Sequence, residues 1–275
     1  MITEGMNVMA TGKNPLVQSI PRARAFACFL AFAAVMSAAP IAQAQSSPAD
    51  GQQGTALEFT VAPYLLVPTM SGNVTLRGRD LEVDLGPSEI FENLEFGIMG
   101  YFEVRKGPWA FAFDGLYMDL GKSAQLDTIL GPVGATLGLQ QGMYELSGIR
   151  TVTPWADVVF GVRINSISGS FETLLLQLTG DSSATWVDPF VGVKLVVPET
   201  GNWLAAVRID IGGFGVGSSF AWQIYPTVGY NFVDWFTLAG GFRILDMKYE
   251  TGEGSQLFVY DMSMYGPFVG FVFHF

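Results

Sequence analysis

Cysteine is missing after Cys28, histidine occurs once, at His274, and Asp, Glu, Lys and Arg together make up only 14% of the 275 residues. Soluble domains carry about a quarter charged residues, so the chain is poor in charge for its size. Without cysteine in residues 45–275 there is no disulfide, thiol nucleophile or thiolate metal site in that stretch. Past residue 45 the chain also lacks any run of eighteen apolar residues, which excludes a bundle of membrane helices. What it does have is 49% hydrophobic residues, 13% aromatics and 33 glycines. That hydrophobicity excludes disorder. The combination points to a membrane protein built of strands.

One long apolar stretch does occur, from Ala25 to Ala39, behind Lys13, Arg22 and Arg24. Ala42-Gln43-Ala44 follows, with small residues at the two positions a signal peptidase reads. This order predicts a secretory signal peptide over 1–44, and the stretch is short for a membrane anchor. Cys28 lies inside the stretch, and Ala25-Phe26-Ala27 is a poor lipobox, so no lipid anchor is expected. Residues 45–56 then form a short periplasmic segment. Setting aside Glu4 and the three basic residues leaves 11 basic and 24 acidic residues, a net charge of −13. Nucleic acid is excluded as a partner on that balance, because binding it rests on neutralising phosphates. A cell surface bathed in divalent cations suits it better.

From Leu57 onward, apolar residues recur with a period of two. Trp203, Ala205, Val207, Ile209 and Ile211 share a face opposite Arg208 and Asp210. Ala156, Val158, Phe160, Val162 and Ile164 do the same opposite Asp157, Arg163 and Asn165. The second face is no ordinary soluble surface; it mixes Gly, Ala, Tyr and Met with a few charges of both signs. Four short turns are each followed at once by a tryptophan: Trp109, Trp155, Trp203 and Trp235. Indole rings favour the membrane–water interface, so these four predict a girdle at one rim. The connections at the other end are longer, roughly 67–94, 121–134, 172–185, 212–218 and 250–257. Short turns face the periplasm in such barrels and long loops face outside. The expected fold is all-β, an antiparallel up-and-down transmembrane barrel over 57–275. Ten strands are counted, with eight and twelve as the alternatives. A hairpin over 74–84 and a short helix over Ser88 to Leu94 are expected in the first outer loop.

The chain stops at Phe275, with Phe273 two residues before it and Gly270 five before. Here it resembles bacterial outer-membrane β-barrel proteins, whose last strand reads Gly-x-x-aromatic-x-aromatic to the terminus. Phe268 departs from the pattern, which has a polar residue there. Glu103 to Trp109 and Arg208 to Gly215 look like a proteobacterial group of porin-like barrels. The resemblance implies location in the outer membrane of a Gram-negative bacterium and recognition of Gly270, Phe273 and Phe275 by the outer-membrane assembly machinery. It implies no established activity.

A basic side chain facing lipid at the bilayer midplane costs about 2–4 kcal/mol, so the charged faces are expected to turn inward. That assigns Glu58, Glu103, Asp114, Glu145, Asp157, Asp188 and Asp210 to the lumen, with Arg105, Arg163, Lys194, Arg208 and Arg243. Bulky Tyr64, Tyr101, Trp186, Tyr225 and Phe268 point in with them. Ten strands enclose little more than eight, and eight just hold packed side chains. Two functions follow. One is a porin-like barrel, a narrow or closed channel for small solutes. The other is a closed structural or adhesive barrel that binds a surface partner through its outer loops. An enzyme is not expected, because omptin-type proteases and barrel lipases use a histidine near the outer face and His274 stands at the opposite end. No cofactor or metal is expected. Gly212 to Gly217 reads as a tight hairpin rather than an anion nest. Asp80, Glu82 and Asp84 read as a solvated strand face rather than a calcium site. Arg77 and Arg79 beside them suit lipopolysaccharide phosphates, and lipopolysaccharide and lipid are the expected surroundings.

Overall fold

The computed structural model describes residues 56–76, 79–128, 131–173 and 179–275; the expected signal peptide and Cys28 lie outside the described residues. The alternating segments form twelve strands. In chain order they are β1 (Leu57–Leu66), β2 (Thr69–Leu76), β3 (Arg79–Leu85), β4 (Leu94–Lys106), β5 (Trp109–Thr128), β6 (Gly131–Thr153), β7 (Ala156–Thr173), β8 (Thr179–Thr200), β9 (Trp203–Gly212), β10 (Phe220–Val233), β11 (Phe236–Thr251) and β12 (Phe258–His274). Among the described residues one helix, α1 (Pro87–Asn93), stands between β3 and β4, and a 3-10 turn at Gly254–Gln256 precedes β12.

Ten of the strands close into an antiparallel barrel in the order β1-β4-β5-β6-β7-β8-β9-β10-β11-β12. The last strand returns to the first, with Thr60 opposite His274 and Val61 opposite Phe273. Closure leaves no free edge in the ring, which a span through hydrocarbon requires because nothing there can satisfy a bare N–H or C=O. The two remaining strands form the expected hairpin, and it begins earlier than the sequence suggests. β2 carries on from β1 along β12, from Thr69 opposite Tyr265 to Leu76 opposite Phe258, and β3 folds back on β2. The turns at Gly107 and Gly201 place those residues at φ 56° and 64°, a backbone that glycine adopts without a Cβ clash.

Two expected loops are strands instead. β5 and β6 pair out to Thr128 opposite Gly131, and β7 and β8 out to Glu172 opposite Thr179. Their sequences carry no steady apolar alternation to read. The neighbouring strand supplies the ladder regardless. The helix falls at 87–93 rather than 88–94, with Pro87 in its first turn, where a missing N–H costs nothing. Ile90 is its buried residue.

Large apolar side chains stand exposed around the ring: Phe59, Phe102, Phe111, Leu146, Phe160, Val193, Ile211, Val228, Leu238 and Phe271. No soluble monomer leaves a continuous apolar band open to water. Above the band the same outward phase turns polar at Asp119, Asp246, Lys248 and Asp261, with Lys248 and Asp261 paired at 3.2 Å. At the short-turn end, Trp109, Trp155, Trp203 and Trp235 are all exposed.

Candidate functional site: a charged layer across the lumen

Strand register brings the interior charges together. Tyr101, Asp114, Glu145, Arg163 and Asp188 stand directly opposite one another on β4 to β8, forming one transverse row. Arg208 and Asp210 from β9, Gln223 from β10 and Arg243 from β11 complete the layer. Glu145 is its hub. Its Oε1 accepts from Arg163 Nε at 2.8 Å and Arg243 Nη2 at 3.0 Å, and its Oε2 lies 2.9 Å from Arg208 Nη2. Asp210 lies 2.9 Å from both Arg163 Nη2 and Arg208 Nε, and it accepts from Gln223 Nε2 at 3.1 Å. Arg243 donates to Asp114 at 3.0 Å and to Gln223 Oε1 at 2.8 Å, and Tyr64 donates to Asp114 at 2.7 Å.

Three guanidiniums thus face the three carboxylates of Asp114, Glu145 and Asp210, and this interlocked network is neutral; Asp188, in the same row, is not part of it. Buried charge is tolerated only when paired and hydrogen-bonded, which explains why the charges interlock instead of lining an open hole. The guanidinium faces are covered as well: Arg163 and Arg208 lie 5.3 and 5.0 Å from the Phe190 ring, and Arg243 lies 5.3 Å from Tyr225. Arg163 is 0% exposed, and Arg243, Asp210 and Glu145 are each 1% exposed. These four side chains keep almost no surface that water can touch.

The other charges assigned inward take separate places. Arg105 pairs with Glu103 at 2.9 Å, reaches Asp157 at 4.0 Å and donates to Thr151, and Tyr101 donates to Glu103. Glu58 is exposed at the short-turn rim, opposite Arg105 in register. Lys194 is half-buried and takes part in none of the described ion pairs. Asp188 is fully buried yet is held by neutral donors: the Ser218 N–H at 2.5 Å, the Ser218 hydroxyl at 2.8 Å, Asn165 Nδ2 at 2.9 Å and Trp186 Nε1 at 3.1 Å. It anchors the 213–219 turn to the wall. In that turn the amides of Gly213, Gly215 and Val216 are already bonded to protein carbonyls, so they form no anion nest.

Above the charged layer the lumen changes character. All seven methionines of residues 45–275, Met70, Met99, Met118, Met143, Met247, Met262 and Met264, join one apolar cluster. Leu66, Ile90, Trp186, Tyr260 and Phe268 belong to it too. Trp186 stacks on Tyr249 at 4.3 Å. Phe268 packs against Tyr64 and Tyr225, which accounts for an aromatic where the terminal pattern has a polar residue.

Charges locked inside and a continuous apolar band outside admit one arrangement. The chain is a transmembrane β-barrel. No protein-family profile and no curated protein sequence matches it. Among solved structures it is similar to Ail, the attachment invasion locus protein of Yersinia pestis, at 8% identity over 80% of this chain and 98% of that one, with a TM-score of 0.38. It is also similar to the translocator domain of the autotransporter NalP from Neisseria meningitidis, at 11% identity over 81% and 89% of the two chains, with a TM-score of 0.35. The P. putida toluene transporter TodX matches at 9% identity over 80% and 90%, with a TM-score of 0.32. These neighbours are outer-membrane barrels.

Sequence reasoning missed Gln223, which bridges Arg243 to Asp210, and Ser218, which caps Asp188. A signal for Gln223 was present: it is a polar residue between Ala221 and Tyr225 in the inward phase of β10. His274 stands at the end of β12, its ring nitrogens 3.5 Å from Thr60 across the closing seam and 3.2 Å from Thr237 on β11. The barrel's one imidazole is therefore engaged where the ring shuts. Asp80, Glu82 and Asp84 are exposed on β3, and Asp80 accepts from Thr75 at 2.6 Å. Among the described residues no three Asp, Glu or His side chains gather as metal ligands. Arg77 lies outside the described residues, as does the side chain of Arg79.

Proposed function

We propose that this protein is a non-conducting barrel of the bacterial outer membrane that works through its outer face, holding an acidic platform out to a basic partner at the cell surface. The observation that carries the reading is the neutral charged layer. A solute path would have to pass Arg105, Arg163, Arg208 and Arg243, and the middle of that route is filled by side chains without exposed surface. A narrow porin-like channel would need the whole layer to rearrange. The leader expected over 1–44 and the terminal Gly270, Phe273 and Phe275 support export and insertion by the assembly machinery.

Charge at the long-strand end supports the second half of the reading. Among the described residues there, Asp80, Glu82, Asp84, Glu89, Glu92, Glu95, Glu172, Glu250 and Glu253 are exposed, against Lys122 and Lys248. Such a field attracts basic surfaces and, bridged by divalent cations, the phosphates of lipopolysaccharide. The strand extensions of β5 to β8 and the β2–β3 hairpin lift these charges clear of the membrane. Proteoliposomes carrying the barrel are expected to bind a fluorescent lysine-rich peptide, and D80N/E82Q/D84N to weaken that binding at least fivefold at low salt. Raising the ionic strength should erase the difference, since exposed charges are screened within about 10 Å at 0.1 M. Equal binding by the two proteins at low salt would contradict the platform.

A further inference from the structure

The barrel wall has a window. β1 and β4 pair from Leu57 opposite Lys106 only as far as Pro63 opposite Gly100. Beyond that point Tyr64 to Leu66 pair with β12 alone, and Leu94 to Met99 with β5 alone. Pro63 has no N–H to give a ladder, and the β1–β12 register is itself interrupted at Ala62 and Pro63. The Leu66 N–H, left without a strand carbonyl, donates to Met99 Sδ at 3.2 Å. A cavity of about 70 Å³ occupies the gap, lined by Leu65, Leu66, Ile90, Phe91, Met99 and Met118 among others.

The window joins two apolar spaces. Outside, Leu65 and Ile98 flank it in the outward phase, 46% and 49% exposed, within the apolar band. Inside, Leu66, Met99 and Met118 belong to the methionine cluster above the charged layer. Across the gap stands α1, and the side chain it buries there is Ile90, 1% exposed. A helix of seven residues has little stability of its own, so the packing of Ile90 and Phe91 at the gap helps to hold it in place. Water is a poor occupant, because a buried water needs two to four polar partners and the lining side chains are almost all apolar. The mouth opens on the belt, where the neighbouring molecules are lipid chains, and thioethers adapt readily to a flexible guest.

We propose that this window is a lateral binding site for the end of a lipid acyl chain, which enters from the outer leaflet between β1 and β4, displaces Ile90 and lies against Met99 and Met118. The charged layer below stops it from going further, so the site is blind on its inner side. The inference stands apart from the non-conducting reading, since a side pocket is compatible with either a silent or a conducting lumen.

The seven methionine methyl groups provide the test. The mature barrel, deuterated except for 13C-labelled methionine methyls, is placed in nanodiscs of protonated phospholipid, and nuclear Overhauser cross-peaks from the chain-terminal methyls are recorded. Cross-peaks are expected at Met99 and Met118 and not at Met143, Met247 or Met262. Ile90→Trp, which fills the gap, should abolish them, and Ile90→Ala should strengthen them at least twofold. Folding of each variant is checked by its heat-modifiable migration in gels, and the wild-type pattern is decisive even if a variant fails to fold. No cross-peak at Met99 and Met118 overturns the proposal. Cross-peaks at all seven methyls overturn it too, because the lumen would then fill from above, and so does a pattern that Ile90→Trp leaves unchanged.

Discussion

Replacing Glu145 by glutamine is expected to lower the unfolding free energy of the barrel by about 3–5 kcal/mol, the cost of breaking a buried ion pair from one side. Three guanidiniums, those of Arg163, Arg208 and Arg243, converge on this one carboxylate at 2.8 to 3.0 Å. Glutamine keeps the size and one acceptor oxygen, but it leaves three cations facing only Asp114 and Asp210. Arg163 and Arg243 cannot be relieved by water without opening the layer, whereas 12% of the Arg208 side chain is exposed. Urea unfolding in lipid vesicles, followed by tryptophan fluorescence, measures the change. A loss below about 1 kcal/mol, the range of exposed ion pairs, would mean that the layer is hydrated and loosely held.

Asp188→Ala is expected to cost about 3 kcal/mol by a different route. Here no guanidinium is stranded; instead the Ser218 amide and hydroxyl, the Asn165 amide and the Trp186 indole lose their acceptor together. Hydrogen bonds to a charged group are worth about 1.5–3 kcal/mol, and each buried donor left bare adds to the loss. Trp186 keeps Ser218 Oγ at 2.9 Å as a second partner, which limits the damage. The turn at 213–219 is tied down chiefly at this point, so exchange of the Ser218 amide should quicken by at least two orders of magnitude. Asp188→Asn, with one acceptor oxygen retained, should recover part of both effects. A turn whose exchange stays slow in Asp188→Ala would show that other contacts hold it.

Alternation along each strand made the ring readable from sequence, because one face had to meet lipid and the other could not. It settles which way a charge points but not how high it sits. Glu58 shares the inward phase with Glu145, yet it stands at the short-turn rim. Height depends on the register between neighbouring strands, which backbone pairing sets and a single strand does not reveal. The same limit hid the methionine cluster: Met118, Met143, Met247 and Met262 come from four strands, and nothing in any one of them marks a common level. The extensions of β5 to β8 were read as loops because their sequences lack the steady apolar period that marks a half-buried strand. The window was partly visible as Pro63 and Pro68, two residues unsuited to a continuous ladder, but its partner edge on β4 carries no such mark.

A lumen closed at mid-height is tested directly by one recording. A chain of residues 45–275 is refolded, inserted into a planar lipid bilayer and held under a salt gradient. A membrane that stays silent, while the inserted protein remains heat-modifiable and protease-resistant, is the predicted result. Discrete conductance steps with a definite reversal potential would contradict it, since ions would then be crossing the layer formed by Glu145, Arg163, Arg208, Asp210 and Arg243.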